Sequence, residues 1–157
     1  MKSSETDQLD RFDHRIIEEL RRDGRLSYSE LARRVGLSKT PCQLRVRKLT
    51  EAGYILGFRA IVDPARLGLD HIAFLEVRLS DTTEPALQAF NEAVRAAPQI
   101  EQCHMIAGSY DYLLKIRTRD IAGYRRFLSD VASNLPHLAN TSTHVSMEAV
   151  KDETSRP

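Results

Sequence analysis

Six cations, Arg33, Arg34, Lys39, Arg45, Arg47 and Lys48, lie in a row with no carboxylate between them. The whole chain has a formal net charge of only +1. Residues 1–60 carry 13 Lys and Arg against 9 Asp and Glu, net +4, and residues 61–157 carry 10 against 13, net −3. A local basic patch on a nearly neutral chain points to a polyanion partner for one part of it. The plainer reading is a solvated helix face, and charge alone does not choose between them. The second stretch with chemical potential is AGSYDY at 107–112, where a glycine, a hydroxyl and an acid meet at a hairpin signal.

Motifs for other chemistry do not occur. The five histidines, His14, His71, His104, His137 and His144, lack HExxH spacing. No GxGxxG, GxxxxGK[ST] or GxSxG appears. Cys42 and Cys103 form no CxxC pair, so no disulfide framework or zinc knuckle is implied, and both are expected reduced. A metal pair from His104 and His144 on neighbouring strands is weighed and set below ordinary sheet histidines. No run reaches the ~20 apolar residues of a membrane span. The polar start MKSSETDQLD shows no signal peptide, so a cytoplasmic location without a membrane partner is expected.

The elements that position the cations can be read from periodicity and caps. In LDRFDHRIIEELRRDGR, Phe12, Ile16, Ile17 and Leu20 recur at helical spacing, with Asp10 as N-cap and Gly24 as stop. In SYSELARRVG, Ser27 and Glu30 form a capping box and Gly36 ends the helix after about two turns. Ser38 then caps a third helix, in which Pro41 is the third residue and loses no intrahelical bond. Two short helices joined through a glycine make a helix-turn-helix. On a wheel of about 100° per residue, Cys42, Val46 and Leu49 face the core. Thr40, Gln43, Leu44 and Arg47 lie opposite, Lys48 flanks them and Lys39 stands at the helix start. Ser38, Lys39, Thr40, Gln43, Leu44, Arg45, Arg47 and Lys48 are therefore the candidate contacts to double-stranded DNA. Arg45 sits nearer the core edge, as a phosphate contact or an intramolecular pair. Gly53 ends the helix, and two apolar runs around Gly57 suggest a small β wing.

The run from LDRFDHRII through ELARRVGLS, TPC and RVRKL to the closing GYI resembles the leucine-responsive/asparagine-regulator (feast/famine) family of transcription regulators. DPARLG, AGSYDYLLKI and TSTHVSME extend the resemblance over residues 9 to about 151. Within that family, SKTPCQ, GLDHIAF and EQCHMIA look most like the activators of proline catabolism. The resemblance implies a C-terminal domain that dimerises through its sheets, assembles into larger oligomers such as octamers, and senses an amino acid without a cofactor.

The residues support that plan independently. Strands at 71–79, 99–107, 110–118 and 141–149 and helices at 83–97 and 120–135 give the order β-α-β-β-α-β of a ferredoxin-like domain. The expected fold is α+β, an N-terminal winged helix-turn-helix followed by that domain. Its expected parts are 1–55 for DNA, 56–66 as wing and linker, 67–150 for sensing and oligomerisation, and a mobile tail at 151–157.

At AGSYDY the plainer reading is a tight turn in which Gly108 supplies positive φ. The functional reading is a ligand approaching the Gly108 and Ser109 amides with its carboxylate and Asp111 with its ammonium. The resemblance carries the effector site onto Tyr110 and Asp111, lined by His104, Met105, Ile106, Ala107, Thr141, Ser142 and Thr143. A structural Asp111–Lys115 pair is the alternative for Asp111. Two other functions compete: a small α+β dimeric enzyme domain fused to a DNA-binding module, and a DNA-bridging protein without a ligand.

Overall fold

The computed structural model of the chain describes residues 9–152. These fall into two compact units, the first ending at Ala60 and the second beginning at Ile61.

The first unit holds three helices, α1 (Arg11–Arg22), α2 (Tyr28–Val35) and α3 (Lys39–Glu51). Asp10 caps α1: its carboxylate accepts from the Phe12 and Asp13 amides, and the Asp13 side chain accepts from the Asp10 amide in return. The box uses Asp at its third position where Glu or Gln is usual. Ser27 caps α2 by accepting from the Glu30 amide. The Glu30 carboxylate turns instead to Arg33 and Arg34, so only half of the expected box forms. Gly36 ends α2 at φ 78°, a left-handed conformation that a Cβ makes costly. Ser38 stands at the N-cap of α3 by backbone geometry, but its hydroxyl makes no capping bond, contrary to expectation. Ile16, Leu31, Ala32, Val35, Cys42, Val46 and Leu49 form the core. Full burial of a side chain such as Leu31 or Val46 contributes about 1.5–3 kcal/mol.

Beyond α3 the expected β wing does not pair: no strand forms between Gly53 and the 3-10 turn at Ala65–Leu67. Leu56 is 95% exposed, and Phe58, Ile61 and Val62 are also largely exposed. A lone two-stranded ribbon has no second layer to bury such residues against and is marginal in water.

The second unit is one antiparallel sheet with two helices on one face. Its elements are β1 (His71–Leu79), α4 (Glu84–Ala96), β2 (Ile100–Met105), β3 (Tyr112–Thr118), α5 (Ile121–Asp130) and β4 (Leu138–Val145). The sheet order is β2-β3-β1-β4, the ferredoxin-like arrangement. Ala73, Leu75 and Val77 of β1 and Tyr112, Leu114 and Ile116 of β3 point to the helices and meet Phe90, Val94, Tyr124 and Phe127. The second helix stops at Asp130, short of the expected Leu135, and continues as a 3-10 turn. The last strand starts at Leu138, three residues earlier than expected, and ends at Val145.

The other face of the sheet carries charge. Lys115 and Arg117 are only 9% and 8% exposed there. Lys115 Nζ meets Asp152 at 2.7 Å and Glu101 at 3.4 Å, and Arg117 also pairs with both acids. Buried cations need such partners, because desolvation of an unpaired charge is costly. Asp152, inside the expected mobile tail, is thus anchored; residues 153–157 lie outside the described residues.

Candidate DNA-reading helix and effector cavity

Helix α3 presents the face that its sequence predicts. Cys42, Val46 and Leu49 are buried, whereas Lys39, Thr40, Gln43, Leu44, Arg47 and Lys48 are exposed, as is Ser38 at its start. Leu44 leaves 61% of its surface open on the same face.

The structure sorts the six cations by their partners. Arg45 Nη1 is held by Asp10 at 2.7 Å and Asp13 at 2.8 Å, with its guanidinium 5.5 Å from the Phe12 ring. Of the two readings open for Arg45, the geometry takes the intramolecular pair. Arg45 ties α3 to the cap of α1. The Asp13 amide first, and Arg45 after it, hold the Asp10 carboxyl below its usual range. Arg34 pairs with Glu30 and Glu19, and Arg33 with Glu30. Those two arginines, Arg33 foremost, pull the Glu30 carboxyl down to about 2. Arg47 reaches Glu51 at 2.7 Å, both ends largely exposed. Exposed pairs are worth about 0–1 kcal/mol, so Arg33 and Arg47 can exchange a carboxylate for a phosphate or a base at little cost. Lys39 makes no ion pair among the described residues and stands at the α3 N-terminus, where free N–H groups also favour an anion. The acids that neutralise the basic run come from outside it in sequence, which a linear count of charge cannot see.

In the second unit a cavity of about 180 Å³ opens on the charged face of the sheet. Ser109 and Tyr110 line it from the loop between β2 and β3, and Thr141 and Ser142 from β4. Glu76 and Arg78 of β1 and Asn140 of β4 complete it, and sequence reasoning missed all three. The register explains the grouping: Glu76 stands opposite Ser142 and Arg78 opposite Asn140. An acid and a base two residues apart on one strand share a face. That pairing was visible in FLEVRL as a signal, but it reads equally as a solvated edge. The Arg78 guanidinium also donates to the Ser109 carbonyl, and the Glu76 carboxylate lies 3.3 Å from His144 Nε2.

Other expected residues are elsewhere. Asp111 Oδ2 accepts from the Leu79 amide at 2.7 Å, and the Asp111 amide donates to the Val77 carbonyl at 2.9 Å. Asp111 therefore pins the loop to β1, and the alternative pair with Lys115 does not form, since Lys115 is held by Glu101 and Asp152. Thr143 faces the helices, where its hydroxyl bonds Tyr124 at 2.8 Å. His104 and Met105 sit on β2, at the sheet edge opposite β4. His104 and His144 are consequently not neighbours, and no metal-holding cluster occurs among the described residues. Ile106, Ala107 and Gly108 lie in the loop without lining the cavity. Gly108 is not left-handed, and a Cβ there would meet only Ile106 Cγ2 at an ordinary 3.5 Å. A positive φ therefore does not explain this glycine, and no neighbour among the described residues requires it.

The comparisons with known proteins agree with both units. The family model described as Lrp/AsnC ligand binding domain matches residues 72–156, and that described as winged helix-turn-helix DNA-binding matches 9–55. The chain is 59% identical over 150 residues to the proline dehydrogenase transcriptional activator of Rhizobium radiobacter, covering 96% of each. It is 43% identical over 143 residues to the leucine-responsive regulatory protein of Escherichia coli (strain K12), covering 91% of this chain and 87% of that one. Among solved structures, a transcriptional regulator from Neisseria meningitidis in complex with L-Met superposes with a TM-score of 0.86 at 29% identity, over 96% of this chain and 97% of that chain. An AsnC family transcriptional regulator from Agrobacterium tumefaciens gives 0.87 at 32%, over 95% and 97%.

Proposed function

Since the chain belongs to the Lrp/AsnC family of DNA-binding transcriptional regulators, not enzymes, we propose that it controls a proline dehydrogenase gene in response to an amino acid. Two relatives named as proline dehydrogenase transcriptional activators, at 59% and 52% identity over 96% of the chain, support the target. L-Proline, the substrate in that enzyme's name, is the first effector to test. On this reading α3 enters a major groove: Arg47, Gln43, Thr40 and Leu44 meet base edges, while Ser38, Lys39 and Lys48 meet phosphates. Arg45 positions the helix.

The observation that carries the sensing half is the cavity lined by Glu76 and Arg78. It offers a guanidinium for a carboxylate and a carboxylate for an ammonium, the complement of a zwitterion. At about 180 Å³ it falls below the ~300–1,000 Å³ of drug-sized sites and suits a small amino acid. The L-Met complex of the Neisseria regulator supports an amino acid as ligand class. The exposed apolar 56–62 segment supports a homodimer that assembles further.

Thermal-shift and calorimetric titration with the twenty amino acids tests the sensing reading. A ligand at 100 times its Kd adds about 2.7 kcal/mol of stability. Arg78→Ala is expected to remove that gain, and to change the melting of the free protein only by the small amount that its exposed bond to the Ser109 carbonyl contributes. Absence of any stabilising amino acid contradicts the sensing reading and favours a DNA-bridging role.

A further inference from the structure

A second cavity, of about 410 Å³, lies on the helix side of the sheet between α4 and the edge strand β2, away from the effector cavity. Its origin is a mismatch of cover. The β2 residues Ile100, Cys103 and Met105 pair with Ile116, Leu114 and Tyr112, which are core positions. Yet Ile100 and Cys103 are only half-buried, and Met105 is exposed, because α4 does not reach over the edge. The uncovered slot is lined by Val94, Ile100 and Met105 as apolar wall and by Asn91, Arg95, Gln102 and Cys103 as polar groups; Glu101 also borders it, its carboxylate held by Arg117 and Lys115. Tyr112 also lines it. That side chain is 2% exposed, its ring lies tilted against Phe90 with centroids 4.6 Å apart, and its hydroxyl has no well-formed hydrogen bond among the described residues although the Asn91 amide lies beside it. A buried phenol whose hydrogen bond is so poorly formed is unusual. Among the described residues Arg95 forms no salt bridge, and its positive charge acts on the Cys103 thiol, although burial outweighs it and pushes that thiol up.

We infer that this slot is a second binding site, for a small organic carboxylate, with Arg95 holding the carboxylate, Tyr112 and Asn91 supplying hydrogen bonds, and the Val94–Ile100–Met105 wall taking a short apolar chain. It is independent of the effector cavity and of the zwitterion reading given above.

Cys103 serves as a reporter inside the slot, and Cys42, fully buried in the other unit, as internal control. The full-length protein is treated with 2-carboxyethyl or 2-aminoethyl methanethiosulfonate. In each case the Cys103 thiolate attacks the sulfenyl sulfur, a mixed disulfide forms and methanesulfinate leaves. Peptide mass mapping follows Cys103. The carboxylate reagent is expected to react several-fold faster than the amine despite equal length, and butyrate, but not butylamine, to protect Cys103. Arg95→Gln, on an exposed helix position, is expected to abolish both effects; Tyr112→Phe, which removes one hydroxyl, is expected to weaken protection. Absence of protection in the unmodified chain, or full protection retained in either variant, overturns the proposal. Amino-acid titration of the Arg78→Ala variant reads the other cavity, so the two proposals fail separately.

Discussion

Replacing Arg45 with methionine keeps most of the side chain's length and removes its charge. In the wild-type chain the guanidinium meets Asp10 at 2.7 Å and Asp13 at 2.8 Å, with 32% of the Arg45 side chain exposed. Hydrogen bonds to charged groups are worth about 1.5–3 kcal/mol when sheltered and exposed pairs about 0–1. Arg45 lies between those limits, which places the pair at about 1–2 kcal/mol. Contact with the Phe12 ring adds about 0.5. Arg45→Met is therefore expected to lower the opening free energy of α1 and α3 by about 1.5–2.5 kcal/mol, read by native-state hydrogen exchange of their amides. A further prediction separates positioning from phosphate contact. As a positioning residue, Arg45 leaves the slope of log affinity against log salt unchanged; as a phosphate contact its loss would reduce that slope by about 0.9. Unchanged exchange protection together with a slope reduced by that amount refutes the reasoning.

Arg47→Ala breaks only an exposed pair with Glu51, so stability is expected to change by less than about 0.5 kcal/mol, while affinity for cognate over random DNA falls by roughly 1–3 kcal/mol. Lys39→Ala is expected to weaken both DNAs alike; equal losses for Arg47→Ala, measured by anisotropy on the two duplexes, remove its base-reading role. Asp111→Ala leaves the Leu79 amide unpaired and is expected to cost about 1–3 kcal/mol in denaturant unfolding, with ligand affinity changed less than in Arg78→Ala. Acid unfolding should report Glu30: its carboxyl is held at about 2 against an ordinary 4.5, so its stabilising contribution is complete above 4.5 and disappears as pH falls towards 2. Glu30→Gln is expected to flatten the pH dependence of α2 exchange in that window and nowhere above it.

How much of this was legible in the sequence depended on range. Caps and helix stops are local, so Asp10, Ser27 and Gly36 announce α1 and α2, and the 3.6-residue period separates Cys42, Val46 and Leu49 from Gln43, Leu44 and Arg47. Period-2 alternation likewise assigns Tyr112, Leu114 and Ile116 to the core. Side-chain partners across the fold are not local. Arg45 meets an acid 32 positions away, and Asp111 bonds an amide 32 positions away. The cavity of Glu76 and Arg78 needs the β1–β4 register, which sets Glu76 against Ser142, and no spacing within either strand contains that information. The winged helix-turn-helix class was legible, but no strand pair forms around Gly57, where the apolar runs stay largely exposed. Chain order does not give sheet order, so only the structure shows that His104 and His144, already read as ordinary sheet histidines, stand at opposite edges.

The central claim is that α3 reads DNA and that the Glu76–Arg78 cavity tunes that reading through an amino acid. Fluorescence anisotropy with the control region of the organism's own proline dehydrogenase gene, titrated with and without L-proline, tests it most directly. Binding tighter than to random DNA is expected, with an affinity or stoichiometry that shifts with L-proline, and with loss of the shift but not of the binding in Arg78→Ala. Equal affinity for both DNAs, or an L-proline response that survives intact in Arg78→Ala, contradicts it.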